Sequence, residues 1–280
     1  MLEIKNINYS YNKKNDSKFK GLNNINIKLR RGKLLLLIGP NGAGKTTLLD
    51  IIAGIKKPKS GQILLNNKSL YQKKRLNKKI TSHIGYVLQN VETQFFNDTV
   101  EKEISFPLNK DNKETNKKIV NKILQATNLK EKSEMSPFSL SGGEKKRLGV
   151  AIFLTKKPKI LILDEPTAGL DAYSLKKIFQ IFKRLLKNGT ILVISTHNLE
   201  IFLPFADKVI FLNNGIPKFQ GNLMQLGLKT NIFKENHLPV PFIWKMFYDL
   251  KKDKYLPLNA SVPRSTRGLI KEILQKDKKK

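Results

Sequence analysis

The chain has 280 residues, enough for one sizeable core with a small appended unit. It carries 53 Lys and Arg against 22 Asp and Glu, a formal net charge of +31, and no cysteine, so disulfides and thiolate metal sites are excluded. The three histidines, His83, His197 and His237, are too scattered for a metal cluster; no apolar run approaches the ~18–20 residues that cross a bilayer, and the opening Met1-Leu2-Glu3-Ile4 has no signal-peptide core, so a cytosolic protein is expected.

In chain order, residues 2–9 and 25–29 alternate apolar and polar side chains, as half-buried strands do. The apolar run 33–38 reads as a buried strand and 46–53 as a helix. Between them, Gly39-Pro40-Asn41-Gly42-Ala43-Gly44-Lys45-Thr46 fits G-x-x-x-x-G-K-[ST] in the strand–loop–helix setting that pattern requires. Its glycines let consecutive backbone N–H groups cradle phosphate oxygens at the positive end of a helix dipole. Lys45 is expected to reach the β- and γ-phosphates and the Thr46 hydroxyl to ligand Mg²⁺, with Thr47 counted beside them in the nucleotide-binding set. A nucleoside triphosphate is the expected ligand.

Residues 56–61, with Pro58 and Gly61, read as a turn into a short strand at 62–65, and 83–88 as a further strand. From 100 to 129 the pattern turns helical, with Ile119, Val120, Ile123 and Leu124 at three-to-four spacing. Leu140-Ser141-Gly142-Gly143-Glu144-Lys145-Lys146-Arg147 opens an apolar-periodic helix at 148–154; a serine and two glycines make its N-terminus approachable by an anion. Taken alone it reads as an ordinary helix cap. Residues 159–163 form a short apolar strand that ends in Asp164-Glu165, at the end of a parallel strand where ligands are normally met. One acid there can hold Mg²⁺ while the next orients or deprotonates the attacking water. A helix at 174–186 and a strand at 190–195 follow, then two strands flanking Asn213-Asn214-Gly215, a hairpin signal. Alternating strands and helices predict a parallel α/β core, with the helical stretch as an insertion, and no internal repeat or coiled-coil heptad is present.

With these motifs in place, the chain resembles the ATP-binding cassette ATPases, the nucleotide-binding subunits of ABC transporters. The resemblance runs through residues 39–46 (Walker A), Gln89 (Q-loop), 140–147 (signature), 160–165 (Walker B with its glutamate), Ala168-Gly169-Leu170-Asp171 (D-loop) and Ser195-Thr196-His197 (switch histidine). It implies a P-loop NTPase (RecA-like) parallel-sheet core with an antiparallel β subdomain and an α-helical insertion at about 90–155. Residues 1–220 then make the ATPase domain and 221–280 a small C-terminal accessory segment. By the same resemblance Asp164 and Gln89 complete the Mg²⁺ shell with Thr46, Glu165 acts on the water, and His197 holds the γ-phosphate. Tyr11 falls where the family places an aromatic that stacks on adenine, with Tyr9 as its alternative and a plain strand aromatic as the other reading.

Residues 89–96 and 99–106 look like those of the energy-coupling-factor importer ATPases, which take up vitamins and cobalt or nickel ions. Val91 stands where that group usually has proline, and Glu144 where it usually has glutamine. Residues 237–241, leading into a helix to Leu250, resemble the accessory segment those ATPases use in pairing, and 277–280 read as a solvated tail. Walker A and the signature then sit on separate lobes, so two chains pair head to tail. Each ATP is held between Walker A of one and Ser141, Gly142 and Gly143 of the other. The implied partners are a second ATPase subunit, the same or a paralogue, and integral membrane transport subunits, which places the chain at the cytoplasmic face of the cell membrane. Phe95 and Phe96 read either as core or as the lining of a groove that receives a helix of the membrane subunit. Competing readings are another ABC branch, such as lipid or drug export, and a soluble ABC ATPase acting on nucleic acid or ribosomes. The lysines suit the latter but are spread from end to end, so no specific nucleic acid is expected.

Overall fold

The structure, a computed structural model, describes residues 1–11, 21–72, 75–108, 112–257 and 259–277. The last three residues of the tail, 278–280, lie outside them. Strands β1 (Leu2–Ser10) and β2 (Gly21–Leu29) pair antiparallel, with Leu2 opposite Leu29. Next comes β3 (Leu34–Ile38), five aliphatic residues buried throughout, which leads through the glycine-rich loop into α1 (Lys45–Ala53). β4 (Ser60–Leu65) then pairs with β1. After β5 (Ile84–Val87) come the helices α2 (Val100–Ser105), α3 (Lys113–Ala126) and α4 (Gly142–Leu154). The chain re-enters the core as β6 (Ile160–Asp164), α5 (Ala172–Lys187), β7 (Ile191–Ser195) and the hairpin β8 (Lys208–Asn213) and β9 (Ile216–Asn222). Helices α6 (Phe242–Lys252) and α7 (Thr266–Asp277) lie near the C-terminus.

The main sheet has the order β9-β8-β3-β7-β6-β5, parallel except for the edge strand β9; β2, β1 and β4, with the short strand Lys68–Ser69 beside β4, form a separate antiparallel sheet. Successive side chains on a strand point to opposite faces, and both faces of the main sheet are covered. Leu34, Leu36 and Ile38 join a core shared with the helices, whereas Leu35 and Leu37 join one shared with α1 and the antiparallel sheet. This is the P-loop α/β architecture that the motifs predict.

The predicted helical stretch from 100 to 129 is two helices. The first stops at Ser105: Phe106 still has helical backbone (φ −51, ψ −41), but Pro107 after it has no N–H with which to continue the ladder. The C-terminal helices extend the helical-side core: Trp244 and Phe247 are fully buried in it, and Phe233 bridges Phe211 of β8 (5.4 Å) to Trp244 (6.0 Å).

Candidate active site

Register brings the motifs together. Ser195 at the end of β7 lies opposite Asp164 of β6 on one side and Leu37 of β3 on the other. The segments leaving these three strands therefore emerge at one edge of the sheet, where open α/β sheets bind ligands. A cavity of about 1170 Å³ opens there. On one wall, the loop between β3 and α1 turns through Gly39, Gly42 and Gly44, all at positive φ. At Gly39 no other residue fits, because a Cβ there would come 2.1 Å from the Leu212 carbonyl oxygen.

Lys45, largely buried at the start of α1, donates to the carbonyls of Gly39 (2.8 Å) and Pro40 (3.0 Å). Burial holds its ammonium below the usual lysine range, and Glu165 and Asp164 partly offset that cost. The Thr46 hydroxyl donates to Asp164 Oδ2 at 2.8 Å, and the buried Ser195 hydroxyl donates to Asp164 Oδ1. Ser195 also fixes the next acid: the Glu165 N–H donates to its hydroxyl (3.1 Å) and to its carbonyl (3.2 Å). Glu165 has φ +47, in the left-handed region that a glutamate adopts at a cost. Its Oε2 is buried without a hydrogen-bond partner, 3.0 Å from His197 Nδ1 but not aligned with it. Thr46, Asp164 and the exposed Gln89 present only oxygen and amide groups to the cavity. That donor set suits a hard cation such as Mg²⁺, which takes few protein ligands and completes its shell with phosphates and water.

Gly39, Pro40, Asn41, Gly42, Gly44, Lys45, Thr46, Thr47, Gln89, Asp164, Glu165 and His197 all line this cavity. Ala43 does not: it is buried beneath the loop, and its carbonyl accepts the Gly215 N–H at 2.9 Å. Of the two tyrosines, Tyr11 lines the cavity and Tyr9 packs against the core below it, edge-on to Tyr11 at 5.0 Å. The Tyr11 hydroxyl lies 2.5 Å from Thr47 Oγ1, with Lys56 over its ring at 5.2 Å.

Ser141, Gly142 and Gly143 are not among the residues lining the cavity. Ser141 caps α4 in a reciprocal box: its hydroxyl accepts from the Glu144 N–H (3.3 Å) while Glu144 Oε2 accepts from the Ser141 N–H (2.9 Å). Gly142 is exposed with open space where a Cβ would go, whereas a Cβ on Gly143 would come 2.3 Å from Ser174 Oγ of α5. Close packing between helices thus requires Gly143 independently of any ligand.

Sequence reasoning named Ser195 and Lys146 within motifs but assigned neither a role. Lys146 reaches from α4 to the carbonyls of Glu165 (3.2 Å) and Ala168, and burial keeps its ammonium below the usual range against the pull of Glu165. Phe95 and Phe96 part company. Phe95 is buried in the core, whereas Phe96 is exposed and lines an apolar groove of about 510 Å³ with Phe106, Pro107 and Phe153. Gln94, beneath it, bonds the backbone at Leu88 and Tyr86. Among the described residues no helix is long and apolar enough to cross a membrane.

Comparison with known proteins agrees with this geometry. The family model described as ABC transporter matches residues 22–168. The energy-coupling factor transporter ATP-binding protein EcfA2 of Mycoplasma mobile is 32% identical over 297 aligned positions, covering 98% of this chain and 96% of its own. A Bacillus subtilis protein provisionally named HMP/thiamine import ATP-binding protein YkoD is 37% identical over 82% of this chain, but the chain spans only 42% of its length. Among solved structures, cbiO1 of Clostridium perfringens, described as part of the ABC transporter complex cbiONQ, superposes with a TM-score of 0.72 at 32% identity, covering 88% of this chain and 98% of its own.

Proposed function

Because this chain belongs to the ABC transporter family and is an ATPase subunit of it, we propose that it powers an energy-coupling-factor type importer for a micronutrient, a vitamin or a cobalt or nickel ion. The observation that carries the catalytic part is the convergence of Lys45, Thr46, Asp164, Glu165 and His197 on one cavity at one sheet edge. The name of the Mycoplasma relative supports the energy-coupling-factor class, and that of the Bacillus relative, an HMP/thiamine import ATP-binding protein, supports import.

In this reading ATP lies along the glycine-rich loop, and Lys45 exchanges the Gly39 and Pro40 carbonyls for β- and γ-phosphate oxygens. Thr46, Asp164 and Gln89 would hold Mg²⁺, which when bound offsets phosphate charge. Glu165 Oε2, a buried acceptor without a partner, takes the proton of the attacking water. As the water oxygen bonds to the γ-phosphorus, the bond to the bridging oxygen breaks, leaving ADP and phosphate. His197 bonds the γ-phosphate and Tyr11 stacks on adenine.

The absence of Ser141–Gly143 from the cavity wall supports completion of each site by a second chain, head to tail. ATP then closes the pair, and hydrolysis opens it. The groove at Phe96 receives a short helix of the membrane subunit, at the cytoplasmic face. The deciding experiment is co-purification with the membrane subunits, identification of the co-purifying small molecule, and ATP-dependent uptake of it into vesicles. Uptake that proceeds equally without ATP, or an assembly that only exports, refutes the importer reading.

A further inference from the structure

The C-terminal unit reaches the ATP site of its own chain. Residues 238–241 run between the helical turn Asn231–Glu235 and α6, and Leu238 lines the nucleotide cavity. Leu238 also walls a second cavity of about 270 Å³, shared with Gly39, His197, Leu199 and Phe233. It therefore stands between the phosphate loop and the segment that carries the switch histidine.

This placement is held from both sides. On the sheet side, the Asn213 side chain of β8 donates to Asn236 Oδ1 at 2.7 Å, and the Leu238 N–H donates to the Phe233 carbonyl at 2.8 Å. On the switch side, the Ile243 N–H at the start of α6 donates to Glu200 Oε1 at 3.3 Å. Trp244 and Phe233, both buried, tie the unit into the core. By contrast His197 itself is poorly fixed. Its side chain is 63% exposed, and among the described residues its one short polar contact, to Glu165, is misaligned. An imidazole on such a loop has several staggered rotamers open to it. Leu238, which shares both cavities with it, bounds the space open to the imidazole and so removes some of them before substrate arrives, which lowers the ordering cost of the reactive arrangement.

We propose that Leu238 is a positioning residue for His197, so that the C-terminal unit sets the turnover rate of the ATP site in its own chain. The inference rests on the reading of His197 as the γ-phosphate ligand. Leu238 performs no chemistry; it limits where the imidazole sits. Through Glu200 and Ile243, a shift of α6 moves the switch segment with it, so whatever docks on the C-terminal helices gains a lever on hydrolysis.

The test uses the full chain and the variants Leu238→Ala, Leu238→Met, Glu200→Gln and Glu200→Ala, with His197→Ala as the reference. Steady-state ATPase gives kcat, nucleotide titration gives the ATP Kd, and thermal melting reports folding. The chain has only His83, His197 and His237, so imidazole NMR signals are individually assignable. Leu238→Ala is expected to lower kcat about tenfold, with ATP Kd within about twofold, because misplacement of a catalytic group costs rate before it costs binding. The His197 signals should move while those of His83 stay, and Leu238→Met should restore most of the rate. Glu200→Gln keeps an acceptor for the Ile243 N–H and should act only weakly; Glu200→Ala, which removes that acceptor, should act in the same direction as Leu238→Ala and carries the test if Leu238→Ala does not fold. A folded variant with wild-type kcat, unmoved His197 signals, or a Kd loss as large as the kcat loss each overturns the proposal. If His197→Ala itself turns over normally, the reading of His197 fails; if it is impaired while Leu238→Ala is not, this inference alone fails.

Discussion

Ser195→Ala isolates the brace that holds the two acids. Ser195 is fully buried at the end of β7, and its hydroxyl both donates to Asp164 Oδ1 and accepts the Glu165 N–H at 3.1 Å. Alanine keeps the strand and removes only that oxygen. Glu165 N–H retains the Ser195 carbonyl at 3.2 Å, and Asp164 retains the Thr46 hydroxyl at 2.8 Å, so neither group is wholly orphaned. The principal loss is one hydrogen bond to a carboxylate, about 1.5–3 kcal/mol. For a chain of this size that corresponds to a fall in Tm of roughly 3–5 °C. Activity should suffer more than this suggests, since Glu165 sits at φ +47 and its peptide relaxes once the hydroxyl is gone. Loss of placement of the base predicts a drop in kcat of about 10–100-fold. Differential scanning fluorimetry and steady-state ATPase assays on the same preparations read both quantities. A variant that melts within about 1 °C of wild type and hydrolyses ATP at the wild-type rate would show that the backbone alone holds Glu165, and the reasoning would be wrong.

Glu165→Gln should abolish turnover while ATP binding persists, because the amide keeps the shape but takes up no proton; hydrolysis near the wild-type rate would remove Glu165 from its role. Asp164→Asn should instead weaken binding only when Mg²⁺ is present, as read by titration with and without the metal. Ser141→Arg puts a bulky cation at the exposed start of α4, so it should block the ATP-dependent dimer of the Glu165→Gln chain in size-exclusion runs; an unchanged dimer refutes completion of the site in trans, and a paralogous partner, if there is one, must be included. Phe95→Ser should destabilise the fold by about 3–5 kcal/mol, the range for losing a buried phenylalanine, whereas Phe96→Ser should leave Tm unchanged and weaken capture of the membrane subunits. Equal effects of the two substitutions on Tm would contradict their different burial. Finally, burial tends to raise the Glu144 carboxyl, but the bonds from Ser141 win and hold it below its ordinary 4.5. The capping box therefore stabilises above pH 4.5 and fades as pH falls through the lower folded value, so the Tm gap between wild type and Glu144→Ala should close in acid.

The glycine-rich loop and the paired acids were legible as a candidate site because each is a fixed spacing at the end of a strand, where local chemistry dictates the spacing, whereas His197 was singled out only through the family resemblance. Their convergence was not local. It depends on the order β8-β3-β7-β6 and on the register that sets Ser195 opposite Asp164, which no run of residues encodes by itself. Ser195 looked like the last residue of an apolar strand for the same reason. Lys146 lies in a run of basic residues that reads as a solvated face, and only packing reveals that its ammonium is spent on the carbonyls of Glu165 and Ala168. Pro107 was a visible break signal, and the apolar spacing on either side of it masked the stop after Ser105. Phe95 and Phe96 are adjacent, so periodicity alone could not say which one faces the core.

Lys146 also bears on how two sites in a pair would act together. Ser141 and Gly142 at the N-terminus of α4 are not among the residues lining this chain's own cavity, yet Lys146, little more than one helical turn further along, bonds the backbone just after Asp164. A helix is stiff over that length. If Ser141 closes on the partner's nucleotide, the half-buried Lys146 ammonium, bonded to the carbonyls of Glu165 and Ala168, links that movement to Glu165. In the proposed pair the same helix would thus complete one site and adjust the base of the other, so neither site could close without moving its neighbour's glutamate.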